Sequence, residues 1–232
     1  MALRRARMIA AHHRHAASDR ALALILAGIA GAANAGGFIL LGSYTSHMTG
    51  YLSAIADNLV LHNLALVGQS LLAIGLFICG AATSAIVINW ARAHARSRQY
   101  ALPIGLQGVL LVALAALGAS PLPEVFAHQI GLGLLCVIMG LQNATITKIS
   151  YARIRTTHAT GMITDVGIEL GRAVYGRAFH APIAADRAKL GLLLQLLGTF
   201  LLGGIIGALG YGWIGFAFSL PLAAILLGLA LL

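Results

Sequence analysis

The chain has 232 residues, of which 59% are hydrophobic and only 9% charged, with a mean hydropathy of +0.90. Fifteen Lys and Arg and six Asp and Glu cannot coat a 24 kDa body, because an average globular chain is about one quarter charged. Soluble enzymes, disordered tails, disulfide scaffolds and collagen-like rods are excluded, and an all-α multi-pass membrane protein remains.

Residues 1–20 read as a basic cytoplasmic tail, with Arg4, Arg5, Arg7, Arg14 and Arg20 around His12, His13 and His15. Such a tail can touch anionic lipid head groups. No Cys or carboxylate stands beside its histidines to complete a metal site. Six apolar segments follow: Ala21–Tyr44, Leu64–Trp90, Ala101–Ala119, Ala127–Thr147, Leu190–Gly210 and Gly212–Leu232. Each has about the length needed to cross roughly 30 Å of hydrocarbon. Helices are required because lipid offers no partner to a backbone N–H or C=O. The first segment is too long for a cleaved signal peptide and is read as a retained helix. Cys79 and Cys136 lie inside apolar spans and read as packing residues.

The basic residues orient these spans. Beyond the tail they fall between the second and third spans (Arg92, Arg96, Arg98) and between the fourth and fifth (Lys148, Arg153, Arg155, Arg172, Arg177, Arg187, Lys189). Basic loops stay cytoplasmic, so both termini are expected there. The same rule accounts for the net charge of +9 without a nucleic-acid partner. Trp90 and Trp213 are placed as interfacial anchors.

An internal repeat carries the functional signal. Thr45-Ser46-His47-Met48-Thr49-Gly50 follows the first span, and Thr156-Thr157-His158-Ala159-Thr160-Gly161 follows the fourth, with four of six positions identical. Upstream, Gly31-Ala32-Ala33-Asn34 is echoed by Gly140-Leu141-Gln142-Asn143. The halves, 21–119 and 127–232, hold three spans each. An odd number inverts the second half relative to the first, so the expected architecture is two inverted three-helix repeats in one membrane domain, each with a broken or half-helix polar segment. Matching polar breaks in inverted halves point to a transporter's substrate site. Thr and Ser suit helix starts, and a half-helix start aims its positive dipole end into the cavity it faces.

The stretches Ala27–Phe38, Tyr44–Gly50, Ala56–Leu59, Gly140–Ala144 and Arg155–Gly171 resemble the YoaK family of bacterial multi-pass membrane proteins over nearly the whole chain. The resemblance implies a six-helix inner-membrane protein and lends no substrate. Many members have Asp where this chain has Asn34, and Asn where it has Tyr51, so the first motif departs from the family pattern.

The expected site for a solute or ion comprises Asn34, Thr45, His47, Thr49, Asp57, Asn58, Asn143, Thr157, His158, Thr160, Asp165 and Glu169. His47 and His158 read as proton carriers or ligand donors, or as hydrogen-bonded ties between helices. Asp165 and Glu169 read as a coupling relay, or as ion-pair partners of Arg172 and Arg155. Asp57, without a basic neighbour, is expected to be buried. Asn34 and Asn143 can contact solute or bond across helices. Gln107 and Gln195 are further candidates for the same cavity, and Gly203 and Gly207 mark close packing or a dimer seam. No motif calls for a cofactor or metal, and no HExxH or GxSxG signature favours an intramembrane enzyme. Expected partners are the bilayer, a small polar solute and a second copy of the chain. A transporter or channel ranks first, a non-transporting assembly subunit second and an enzyme third.

Overall fold

The computed structural model describes residues 16–149, 159–180 and 182–231. Its elements, in chain order, are α1 (Ala16–Leu41), α2 (Met48–Val60), α3 (Leu64–His94), a 3-10 turn (Arg96–Arg98), α4 (Ala101–Gly118), α5 (Glu124–Ile149), α6 (Ala159–Ala178), α7 (Arg187–Ile214), a second 3-10 turn (Gly215–Phe218) and α8 (Ser219–Leu231). No strand occurs among the described residues. Among the described residues, five stretches are long and apolar enough to cross a membrane: Arg20–Leu41, Leu64–His94, Ala101–Gly118, Glu124–Ile149 and Arg187–Leu231. The last of these, 45 residues, contains both α7 and α8. The sequence divided it at residues 210–212, whereas α7 continues to Ile214 and α8 opens at Ser219.

The chain turns back between α7 and α8. Gly215 takes φ +58° and ψ −145°, Phe218 packs edge-on against Tyr211 at 5.2 Å, and the Tyr211 and Ser219 hydroxyls lie 2.9 Å apart. At the other break, α1 closes at Gly42, which has φ +67° and donates its N–H to the Phe38 carbonyl at 2.9 Å. A left-handed residue at this position is the usual helix stop, and glycine takes it without a Cβ clash.

Small residues draw the helices together. A Cβ on Gly31 of α1 would overlap the Phe200 carbonyl of α7, and one on Gly203 would overlap that of Gly28. In the α3–α5 seam, a Cβ on Gly140 would overlap the Phe77 carbonyl and one on Gly80 that of Val137. Both seams join parallel helices, since contacts climb together from Gly28 with Gly203 to Ala32 with Gly207, and from Gly80 with Val137 to Ser84 with Thr145. Such close approach is how helices associate in lipid, where no hydrophobic force pulls them together.

α4 and α8 run antiparallel, with Gly118 near Phe216 and Gly105 near Ala230. α1 and α5 are also antiparallel. The Gln142 amide on α5 donates to the Leu26 carbonyl at 2.6 Å, while Gly37, further along α1, lies by Leu135. These directions alternate along the chain and put the start of α1 and the end of α8 on one face. Arg20, Arg92, Arg98, Lys148 and Lys189 lie at that same end of the bundle. The core between the seams is aliphatic, from Leu22 and Leu26 through Leu135 and Met139 to Leu196 and Leu226.

Candidate functional site

The break after α1 is held by one side chain. Asn34 Oδ1 accepts from the Ser46 backbone N–H at 3.1 Å and from its hydroxyl at 2.9 Å. Because a backbone N–H can only donate, the amide oxygen faces Ser46, which leaves the two Nδ2 hydrogens turned away from it. Residues 43–47 therefore cross the end of α1 in a fixed path, and α2 starts at Met48. His47 stands at the N-cap of α2 without capping it through its side chain. Its imidazole folds over Gly50, where an added Cβ would meet Nδ1 at 2.7 Å. This contact gives a physical reason for the glycine in the His-x-Thr-Gly string.

A cavity of about 520 Å³ opens beside this break, within the range of small-molecule sites. Its walls come in matched kinds from the two halves of the chain: Asn34 and Asn143, Phe77 and Phe200, Thr49 and Thr160, Met48 and Ala159. Tyr44, Ser46 and His47 complete the described lining. Met48 and Thr49 form the first turn of α2, and Ala159 and Thr160 are the first described residues of α6, so the N-terminus of α2 and a stretch of α6 meet one cavity. Asn143 donates to the Met139 carbonyl at 3.1 Å. No carboxylate lines the cavity among the described residues.

Of the expected site residues, Asn34, His47, Thr49, Asn143 and Thr160 share this cavity. Thr45 is buried next to it, its methyl group close to Gly37. Asn58 lines a second cavity of about 250 Å³ that includes His47 and Tyr44 in its walls, and it donates to the Ala54 carbonyl at 2.8 Å. Thr157 and His158 lie outside the described residues, as do the tail histidines.

The acidic residues lie elsewhere. Asp57, expected to be buried, is exposed, because α2 packs against α3 without burying any of its residues fully. Asp165 pairs with Lys189 at 3.4 Å. Glu169, 1% exposed, accepts the Asp186 N–H at 2.9 Å and pairs with Arg172 at 3.4 Å and Lys189 at 3.5 Å. The Asp186 N–H is the main reason its carboxyl sits below the usual glutamate range, Arg172 and Lys189 adding to it against the opposing effect of burial. Asp186 in turn caps α7, accepting from Ala188 and Lys189 N–H at 3.0 Å. Glu169 therefore ties α6 to the start of α7.

Gln107 and Gln195 are not at the cavity. Gln107 is buried and donates to the Pro103 carbonyl at 3.3 Å, and Gln195 accepts from Arg20 Nε at 2.9 Å. The sequence reading missed Phe77 and Phe200. A matching string was present, Gly75-Leu76-Phe77-Ile78-Cys79-Gly80 and Gly198-Thr199-Phe200-Leu201-Leu202-Gly203.

No curated protein and no solved structure matches the chain. A family model described as "Protein of unknown function (DUF1275)" matches residues 22–232. The chain is a member of that family, in which the YoaK-like proteins also fall.

Proposed function

We propose that the chain is a secondary transporter or gated channel for a small polar solute, built as two inverted three-helix repeats around the central cavity. The observation that carries this reading is the matching of the cavity walls, amide with amide, phenyl with phenyl and hydroxyl with hydroxyl. A site between inverted halves can be exposed to either face by equivalent movements of each half. An enzyme has no need of that duplication.

The packing supports the repeat. Exchanging the halves takes α1 to α5, α3 to α7 and α4 to α8. It turns the α1–α7 seam into the α5–α3 seam and returns the α4–α8 seam to itself. Gly31 against Phe200 becomes Gly140 against Phe77, and Gly203 against Gly28 becomes Gly80 against Val137. In this reading α8 and the preceding 3-10 turn form the sixth span. Thirteen helical and four 3-10 residues reach about 28 Å. The gathering of basic side chains at the end that holds both termini supports a cytoplasmic location for that face, in a bacterial inner membrane.

The lining favours a solute that accepts hydrogen bonds, neutral or anionic. The N-terminus of α2 presents partial positive charge, the Asn34 Nδ2 group is a donor, Asp165 and Glu169 are held in the α6–α7 tie, and Asp57 is absent from the cavity wall. The test is reconstitution into liposomes and a flux screen over small neutral and anionic metabolites. Asn34→Ala with Thr49→Val, and Asn143→Ala with Thr160→Val, are each expected to lower flux tenfold or more in folded protein. Absence of flux for every solute, with normal behaviour of both double variants, would instead support an assembly role. Turnover without flux would support an enzyme.

A further inference from the structure

Three cavities lie in series. The central one shares Tyr44 and His47 with the 250 Å³ cavity. That cavity in turn shares Leu66 and Gln69 with a third, of about 400 Å³, lying between α3 and α5. The second and third sit at the end of α1, the start of α3 and the start of α5, which is the face opposite the two chain ends. In a chain with so few polar residues, each segment carries some: Gln129 in the third cavity, Gln69 between the third and second, Asn58 and Ser70 in the second, and Asn34, Asn143 and Thr49 in the central one. Polar groups in a membrane helix face the protein interior or a wet path, because lipid leaves them unsatisfied. Gln69 is exposed on α3 among apolar neighbours such as Leu66, Leu71 and Leu72, and the cavities give its amide a polar environment.

We infer that the second cavity is an access vestibule for the same solute, and that the His47 imidazole, with Tyr44, is the wall between it and the central site. The inference rests on the transport reading and adds the route and the residue that closes it. The wall is formed by side chains. His47 has no hydrogen bond that fixes it as the α2 cap, and its ring leans on Gly50. Tyr44 stacks on Phe38 with ring centroids 4.7 Å apart. Rotation of the imidazole joins the two volumes without any helix moving.

The test is cysteine accessibility in a background with Cys79→Ala and Cys136→Ala, using a charged, membrane-impermeant methanethiosulfonate applied from the face opposite the chain ends. Asn58→Cys is expected to label quickly whatever residue stands at 47. Asn143→Cys, half-buried and lining only the central cavity, is expected to label slowly beside His47 and at least tenfold faster in the His47→Ala background. Tyr44→Ala, which opens the wall from the other side, should act in the same direction and covers the case in which His47→Ala does not fold. Unchanged Asn143→Cys labelling in both backgrounds, or an Asn58→Cys that never labels, would overturn the inference. Solute flux measured on the same liposomes separates the two claims. Flux with unchanged labelling removes the wall and leaves transport standing, whereas faster labelling with no flux of any solute keeps the wall and removes transport.

Discussion

Asn34 and Ser46 are joined by two hydrogen bonds to one oxygen, from the Ser46 N–H at 3.1 Å and its hydroxyl at 2.9 Å. The pair fixes where α1 stops and α2 begins, and so where His47 and Thr49 stand. Asn34→Ala leaves two partly buried donors without their acceptor and is expected to cost about 1–3 kcal/mol, seen as a lowered melting temperature in detergent. Ser46→Ala removes only the hydroxyl donor and should cost less than half as much. If the two variants melt alike, the backbone bond does not hold the break.

The glycines at the two seams make a paired prediction. A methyl group on Gly31 would meet the Phe200 carbonyl, and one on Gly140 the Phe77 carbonyl. Helix backbones cannot yield locally, so each seam must separate. Gly31→Ala and Gly140→Ala are expected to destabilise by similar amounts, about 1–3 kcal/mol or more. Gly75→Ala and Gly198→Ala, with nothing within 4 Å of the added Cβ, should be neutral. Thermal unfolding of the four variants checks this, and a large difference between the first two would count against equivalent seams.

What the sequence could reveal followed from contrast. The Thr-Ser-His-Met-Thr-Gly string and its echo stood out because polar residues are rare in this chain, and Asn34 and Asn143 stood out in the same way. Phe77 and Phe200 did not, since a phenyl group in an apolar span carries no signal until its register with the glycine partners is known. Asp165 and Glu169 allow two readings from sequence, a relay or ion pairs, and the Glu169–Arg172 contact is one of the pairs expected. A helical wheel places them on one face with His158, but α6 is described from Ala159 and rests on the start of α7, where Lys189 and the Asp186 N–H claim both carboxylates. The division between the last two apolar segments falls at residues 210–212 in the sequence, whereas α7 runs on to Ile214 and the residue with positive φ is Gly215.

The α6 tie should depend on pH. Glu169 has its carboxyl pKa lowered in the folded state, first by the Asp186 N–H and then by Arg172 and Lys189. A lowered value means that the folded chain binds the proton less well than the unfolded one. The stabilisation is therefore complete above the ordinary glutamate value of about 4.3 and is lost as pH falls through the lower folded value. Proteolysis at Arg172 and Arg177 should stay slow from neutral pH down to about 5, then accelerate in more acid solution, read with an acid-tolerant protease or by hydrogen exchange of α6. Glu169→Gln should expose α6 at neutral pH and flatten this response. A response unchanged in Glu169→Gln would assign it to another group.

The last turn decides whether the chain crosses the membrane five or six times. Gly215 has φ +58° and ψ −145°, a region open in practice only to glycine. Gly215→Ala is expected to cost about 1–3 kcal/mol, whereas Gly212→Ala, whose Cβ would come no closer than 3.8 Å to Ile39, should be silent. The reversal also fixes sidedness. α8 packs antiparallel on α4 through Gly108 with Leu227 and Gly118 with Phe216, so it must run opposite to α7. Reporters fused to the two ends, active on one face only, should then give the same answer. A 45-residue stretch that crossed only once would place them on opposite faces, and α8 would lose its seat beside α4. That result would remove the sixth span and with it the equivalence of the two halves.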